Sequence, residues 1–163
     1  MVLSAGLLAY RNGPGDELQV LLVHPGGPFW ARKDLGAWSI PKGEHGPDED
    51  ARTAARREFA EELGVAPPDG DERFLGQRRQ SSGKQVSVWA VEGHVDVDRT
   101  CSNEVTVEWP RGSGRQITFP EVDRAEWFGL DEARRRLLRG QVPFLDDLVA
   151  ALADGPEQGP NGT

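Results

Sequence analysis

Residues 43–65 of the chain read GEHGPDEDARTAARREFAEELGV. Three carboxylates in this segment, Glu58, Glu61 and Glu62, are spaced at i, i+3 and i+4, so a helix would place them on one face. Like charges at this spacing destabilise a helix unless something neutralises them. A divalent cation is the obvious candidate, because Mg²⁺ prefers hard oxygen ligands. The segment therefore predicts a helix that carries a metal site suited to phosphate chemistry.

The ends and the buried side of this helix can also be predicted. Asp48 is a suitable N-cap, and Gly64 is a suitable residue to end the helix. Apolar side chains recur at four-residue spacing, which predicts a stripe packed against the core, made of Ala51, Ala55, Phe59 and Leu63. Because the carboxylates lie beside that stripe, the helix can pack and bind a metal at the same time.

Strands are predicted on both sides of the helix, from apolar alternation bounded by turn-forming residues. Before it, strands are expected at 4–10 and 18–24, joined as a loose β-hairpin, with a short strand at 38–40. After it, strands are expected at 73–80, 85–91, 103–109, 116–119 and 125–128. Helices follow at 130–138, capped near Asp131, and at 143–153. Residues 154–163 are rich in Gly and Pro and are predicted to be a disordered tail.

Length and composition limit the class of protein. The 163 residues suit one domain, and no run approaches the roughly 18 apolar residues that cross a bilayer. A net charge of −8 argues against broad electrostatic binding to nucleic acid or to an anionic membrane. The N-terminus lacks the pattern of a signal peptide, so a cytoplasmic location is the expectation. Cys101 is the only cysteine, which excludes an internal disulfide. The sequence leaves the oligomeric state open.

The complete spacing of residues 43–65 resembles the Nudix box, the signature of the Nudix hydrolases. The lead-in at 38–42, WSIPK, also looks like that family's approach to the box. A solvated, Glu-rich helix is the alternative for any single Glu, but it does not account for the whole pattern. Every specified position is filled, and the positions with charged side chains or the opening glycine are Gly43, Glu49, Arg57, Glu58, Glu61 and Glu62.

This resemblance implies an α/β protein with the Nudix fold, in which a mixed β-sheet is sandwiched between helices in a single domain at residues 1–153. It implies that the carboxylates of the box bind Mg²⁺, or Mn²⁺, with help from a backbone carbonyl near Lys42 or Gly43. Glu62 is the firmest ligand, whereas Glu58 either binds the metal or orients the attacking water. The resemblance also implies an ion pair between Arg57 and Glu49 that braces the loop–helix–loop. The implied metal ligands are Gly43, Glu58, Glu61 and Glu62.

The activity implied by the resemblance is hydrolysis of a phosphoanhydride bond in a nucleoside diphosphate linked to another moiety. The segments after the box resemble the branch that cleaves dinucleoside polyphosphates such as diadenosine tetraphosphate. In that branch Glu121 would be the general base or an extra ligand, with Glu104 as a rival and an ordinary surface acid as the alternative. Residues 98–116 depart from the branch and are predicted to form an extra hairpin that could cover the cleft. The other hypotheses are a nucleoside triphosphate pyrophosphatase, including one for oxidised purine nucleotides, and a non-catalytic nucleotide-binding module.

Residues that contact a small-molecule nucleotide substrate are harder to assign. Phosphate contacts are predicted for Lys42, Lys84, Arg32 and Lys33, with a solvated surface charge as the alternative for each. Stacking on a base is a hypothesis for Trp38, Trp89, Tyr10 and Phe144, with core packing as the alternative. Trp30, in a Gly- and Pro-rich stretch, is the aromatic residue expected to be most exposed. No metal or catalytic role is predicted for His24, His45 and His94.

Overall fold

The computed structural model describes residues 2–154, which contain eight strands and three α-helices. The strands are β1 (Leu3–Asn12), β2 (Leu18–Pro25), β3 (Lys42–His45), β4 (Glu72–Arg79), β5 (Gln85–Glu92), β6 (Glu104–Glu108), β7 (Gln116–Pro120) and β8 (Val122–Gly129). The helices are α1 (Ala51–Leu63), α2 (Leu130–Arg136) and α3 (Pro143–Ala153). The predicted tail at 154–163 lies outside the described residues, except for Asp154, which ends α3.

Six of these strands form one mixed sheet, in the order β4-β5-β1-β2-β8 with β3 also paired to β1. β1 and β5 run parallel, whereas the other pairs of this sheet are antiparallel. The first residues of β1 pair with β3 and its last residues pair with β2. This arrangement places Lys42 and Gly43 at the centre of the sheet, opposite Gly6 and Ala5 of β1.

Successive side chains of β1 enter two separate apolar clusters, because alternate residues of a strand face opposite sides of a sheet. Leu8 and Tyr10 join the cluster that contains residues of α2 and α3. Leu7 and Ala9 join the cluster that contains the buried face of α1. The prediction of a mixed sheet between helices is therefore confirmed.

The boundaries of α1 show one correct and one wrong prediction. Gly64 ends the helix in the left-handed conformation, with φ of 68°, as expected. The N-cap is Asp50 rather than Asp48, since the Asp50 carboxylate accepts hydrogen bonds from the backbone N–H and the hydroxyl of Thr53, both at 3.0 Å. The buried residues are Ala54, Ala55, Phe59, Glu62 and Leu63. Glu62 thus belongs to the buried face of the helix, not to the surface beside it.

Two further elements differ from the sequence-based expectations. Residues 38–40 make only isolated bridges, in which Ser39 pairs with Val23 and Trp38 pairs with Leu137, and the strand comes later as β3. α2 begins after Gly129, which has no side-chain cap, so Asp131 lies in the first turn instead of capping the helix. No helix within residues 2–154 combines the length and the apolar character needed to cross a membrane.

An extra hairpin is present as β6 and β7, but it extends beyond the predicted segment 98–116, because β7 begins only at Gln116. The two strands pair antiparallel, from Glu104 opposite Pro120 to Glu108 opposite Gln116, and form a sheet separate from the main one. The backbone of Glu121, just after β7, donates to the carbonyl of Asn103 at 2.8 Å, which closes the base of the hairpin. The hairpin therefore ends next to the predicted general base.

Candidate active site

The candidate site forms where α1 crosses β3. Gly43 lies in β3, and a Cβ built on it would overlap the carboxylate carbon and both oxygens of Glu58. The absence of a side chain at residue 43 therefore lets the Glu58 carboxylate lie directly against the strand backbone. Burial raises the pKa of Glu58, while its hydrogen bond from Arg57 acts in the opposite direction.

Glu62 is the most buried carboxylate of the site. Its residue is 9% exposed, and its Oε2 atom has no hydrogen-bond partner among the described residues. Burial raises the pKa of this carboxyl to about 8, with further contributions from the charges of Glu121 and Glu58, while the Lys42 ammonium acts against the rise. Without a cation, Glu62 is therefore held largely protonated at neutral pH.

Arg57 connects the loop before α1 with the acidic face of the helix. Its Nε and Nη2 atoms donate to the two carboxylate oxygens of Glu49, both at 2.9 Å, which is the expected ion pair. Its Nη1 atom donates to Glu58 at 2.9 Å and to Glu61 at 3.2 Å. These contacts raise the pKa of Arg57, with Glu49 contributing most. One guanidinium thus contacts three carboxylates and fixes the loop to the helix.

The structure brings together only part of the predicted ligand set. Glu58, Glu62 and Glu121 lie within electrostatic reach of one another. Glu61 instead contacts Arg57, and its side chain is 43% exposed. Within residues 2–154, no three carboxylate, imidazole or thiol side chains are gathered tightly enough to ligate one ion.

These residues nevertheless fit a hard divalent cation. All the donors are carboxylate oxygens, which is the ligand type that Mg²⁺ and Mn²⁺ prefer. The unpartnered oxygen of Glu62 lacks a donor or a cation that would satisfy it. The missing side chain at Gly43 lets the Glu58 carboxylate lie directly against the strand backbone.

Lys42 is a second cation whose charge acts on this group of acids, besides Arg57. Burial lowers the pKa of its ammonium, the charge of Lys84 adds to that effect, and the carboxylates of Glu62, Glu44 and Glu58 oppose it. Lys84 forms an ion pair with Glu44 at 2.9 Å. Lys42 thus acts on Glu58 and Glu62 through its charge, whereas Lys84 pairs with the exposed Glu44.

The remaining candidates for substrate contact are divided between surface and core. Arg32 and Lys33 lie on the exposed loop after β2, and Lys33 Nζ sits 3.8 Å from the centre of the Phe29 ring. Trp38 is fully buried, and its indole N–H donates to Asp34 at 2.7 Å. The assignment of Trp38 to substrate stacking is therefore wrong for this structure. Tyr10 and Phe144 are buried in the same cluster, which matches the alternative of core packing.

His24 has a structural role that the sequence did not indicate. Its ring is fully buried, with Nε2 at 2.6 Å from the carbonyl of Lys33 and Nδ1 at 2.8 Å from Asp123. A carbonyl oxygen can only accept, so Nε2 carries a proton. This histidine connects the loop after β2 to the segment that carries Glu121.

Replacing Arg57 with Ala is expected to destabilise the protein, because the bidentate pair with Glu49 is lost. The midpoint of thermal unfolding should fall by roughly 2–4 °C. Arg57→Lys should recover only part of this loss, since an ammonium cannot form both hydrogen bonds. Arg99→Ala is the control, because Arg99 is exposed and its ion pair with Asp96 is 3.9 Å long. Equal effects for Arg57→Ala and Arg99→Ala would contradict a bracing role.

Comparison with known proteins agrees with this geometry. The family model described as NUDIX domain matches residues 2–151. No curated protein matched the sequence. The structure is similar to the NUDIX domain of Shewanella oneidensis NrtR complexed with ADP ribose, with 20% identity, a TM-score of 0.63, and coverage of 93% of this chain and 88% of that one.

Two further solved structures show the same fold. One is a C. elegans Ap4A hydrolase binary complex, with 23% identity, a TM-score of 0.56, and coverage of 94% of this chain and 99% of that chain. The other is a mutT/nudix family protein from Listeria innocua, with 17% identity, a TM-score of 0.58, and coverage of 94% of each chain. At these identities the similarity establishes a shared fold.

Proposed function

This chain belongs to the Nudix family and to its class of pyrophosphohydrolases, and from that premise we propose that it hydrolyses a phosphoanhydride bond in a nucleoside diphosphate linked to another moiety. The proposed substrate is a dinucleoside polyphosphate, and the proposed cation is Mg²⁺, with Mn²⁺ as a substitute. The observation that carries this proposal is the group formed by Glu58, Glu62 and Glu121 beside the Gly43 backbone.

The residues of the site have separate proposed roles. When bound, the cation would shield the charge of the phosphates, activate the attacking water and stabilise the leaving phosphate. Glu58, Glu61 and Glu62 would hold it together with the backbone at Gly43, and Arg57 would position two of these carboxylates. Glu121 would accept the proton of the attacking water. Phosphate contacts are proposed for Lys42, Lys84, Arg32 and Lys33.

The structural neighbours support the substrate class. One neighbour is an Ap4A hydrolase and another holds ADP ribose, and both compounds contain a nucleoside diphosphate linked to another group.

A nucleoside triphosphate pyrophosphatase is the second candidate, because the apolar cleft beside Glu121 has a volume of about 310 Å³, which suits one base. A non-catalytic binding module is less well supported, since the carboxylates of the box are all present. The acidic net charge argues against nucleic acid as a partner, and a cytoplasmic location stays a prediction.

The proposal is tested by a panel of dinucleoside polyphosphates, nucleoside triphosphates and nucleotide sugars, with products identified by mass. Hydrolysis is expected with Mg²⁺ and should stop when the metal is removed with EDTA. The preferred substrate class separates the first candidate from the second. Absence of any nucleotide hydrolysis with Mg²⁺ or Mn²⁺ would exclude both.

Replacing Glu121 with Gln should lower kcat by about 100-fold, because the amide cannot take a proton from water. The KM should change little, since the size and polarity of the side chain are retained. Glu104→Gln is the matched control, because Glu104 is an exposed acid in β6 of the same hairpin. A loss of activity in Glu104→Gln but not in Glu121→Gln would transfer the role of general base to Glu104.

A further inference from the structure

An apolar cleft lies between the loop after β2 and the hairpin β6–β7. Its volume is about 310 Å³, and it lies at the lower end of the range for small-molecule sites. Aromatic rings from both walls face it, together with Val105 and Val107 of β6. Phe29, Val107 and Trp109 are among the most exposed large apolar residues in the described part of the chain. The aromatic residues that line the cleft are Phe29, Trp30, Trp109 and Phe119.

The two walls of this aromatic cleft are held together by close backbone contact. Gly27 adopts a φ of +95°, and a Cβ there would lie 2.6 Å from the ring of Phe119. The N–H of Gly26 donates to the carbonyl of Glu121 at 2.9 Å. His24, directly before Pro25 and Gly26, adds a further contact through its hydrogen bond with Asp123. The cleft is therefore a built feature of the fold and not a chance gap between loops.

The cleft borders the candidate active site through Glu121. Glu121 lines it, and the same carboxylate acts electrostatically on Glu58 and Glu62. The Lys33 ammonium lies over the rings of Phe29 and Trp30, 3.8 and 5.5 Å from their centres. A ligand in the cleft would thus have an aromatic surface around it, with a positive charge on the wall formed by these two rings and Glu121 at its edge.

We propose that this aromatic cleft holds the base of the nucleotide whose phosphates reach the site at Glu121. This inference rests on the proposed function for the position of the phosphates. A base is the one part of a nucleotide that is planar and aromatic, and stacking on aromatic side chains is its main mode of sequence-independent recognition. The hairpin β6–β7, which supplies Trp109 and Phe119, then determines which substrates are accepted.

Binding can be tested without turnover. ADP, GDP, CDP or UDP is added to the metal-free protein, and the indole N–H signals of the tryptophans are followed by NMR. Single Trp→Phe variants assign each signal to its residue. The signals of Trp30 and Trp109 should shift and saturate with at least one diphosphate, whereas that of buried Trp38 should shift less. Ribose 5-phosphate, which has no base, should leave Trp30 and Trp109 unchanged. If none of the four diphosphates moves either signal at millimolar concentration, the inference is wrong.

The kinetic test uses variants of the hairpin. Trp109→Ala should raise the KM for the preferred nucleotide about tenfold, by loss of stacking, while kcat stays within twofold of wild type. Trp109→Leu keeps the cleft apolar but removes the ring, and it should show a similar increase in KM. Phe74→Ala is the control, since Phe74 is an exposed aromatic residue on β4, outside the cleft. A normal KM in both Trp109 variants would overturn the inference.

The two proposals fail in different ways. If the substrate panel shows no hydrolysis but Trp30 and Trp109 respond to nucleotides, the proposed function fails and the base site stands. If nucleotides are hydrolysed but neither tryptophan responds, the proposed function stands and the base binds elsewhere.

Discussion

Glu62→Gln is expected to lower kcat by about a thousandfold, because it removes the most buried charge that can hold the cation against the phosphates. Gln has nearly the same shape as a protonated Glu, so the packing of α1 against the sheet should be preserved. The far-UV circular dichroism of the variant should therefore equal that of the wild type. Activity is measured with the preferred nucleotide at saturating Mg²⁺.

The same substitution should raise the stability of the metal-free protein. The pKa of Glu62 is raised from its ordinary value of 4.5 to about 8 in the folded state. The stability linked to this carboxyl is fully present below pH 4.5 and is lost as pH rises towards 8, because only the unfolded chain ionises freely in that window. Gln does not titrate, so the metal-free variant should unfold a few degrees above wild type at pH 8 and at nearly the same temperature at pH 4.5.

Adding Mg²⁺ at pH 8 should reverse this order, because the cation binds the ionised carboxylate of the folded wild type. Glu44→Gln is the matched control, since Glu44 lies in β3 but is exposed and paired with Lys84. It should keep both its activity and its stabilisation by Mg²⁺. Near-normal turnover in Glu62→Gln, or equal stabilisation by Mg²⁺ in variant and wild type, would remove Glu62 from the cation site.

Gly43→Ala should lower kcat about 100-fold or more, although it adds a single methyl group. The new Cβ would overlap the carboxylate of Glu58, so either β3 or that side chain must move. Because Glu58 is also bonded to Arg57 at 2.9 Å, its displacement would disturb the ion pair that holds the loop. Displacements of about 1 Å at a reacting centre can cost two orders of magnitude in rate.

Gly46→Ala provides the control for this effect. It lies three residues further along the same segment, and a Cβ there would meet nothing within 4 Å. Both variants should remain folded, with the midpoint of thermal unfolding lower for Gly43→Ala. Comparable activity in the two variants would mean that Glu58 does not need to contact the β3 backbone.

The sequence predicted the strands and helices in which apolar side chains alternate or repeat at regular spacing. The ends of α3 and the hairpin β6–β7 were predicted because each has a regular apolar pattern and clear turn residues. β3 was missed because its residues, Lys42–His45, are mostly polar, and the strand forms through backbone pairing with β1. Glu62 was placed beside the buried stripe because residues at a spacing of four were taken as the whole stripe, whereas a helix of 3.6 residues per turn also buries their neighbours.

The resemblance implied the pair of Arg57 with Glu49 and the participation of Glu121. The contact of Glu58 with the Gly43 backbone was not predicted, because spacing alone does not show how closely a helix approaches a strand. The aromatic cleft was not predicted, because Trp30 and Trp109 are brought together by tertiary packing alone. Trp38 was assigned to the substrate because its type does not distinguish a stacking surface from a core, and Phe128, which contacts it edge-on, lies far along the chain.

The parallel pairing of β1 with β5 constrains the order in which the domain can form. Leu3 of β1 lies opposite Gln85 of β5, so this pairing closes a loop that contains β2, β3, α1 and β4. Closing a long loop costs chain entropy before the contacts it creates can compensate. The β1–β2 hairpin can form from local contacts, but the acidic face of α1 acquires its final surroundings only after this closure. Catalytic competence should therefore appear late during refolding.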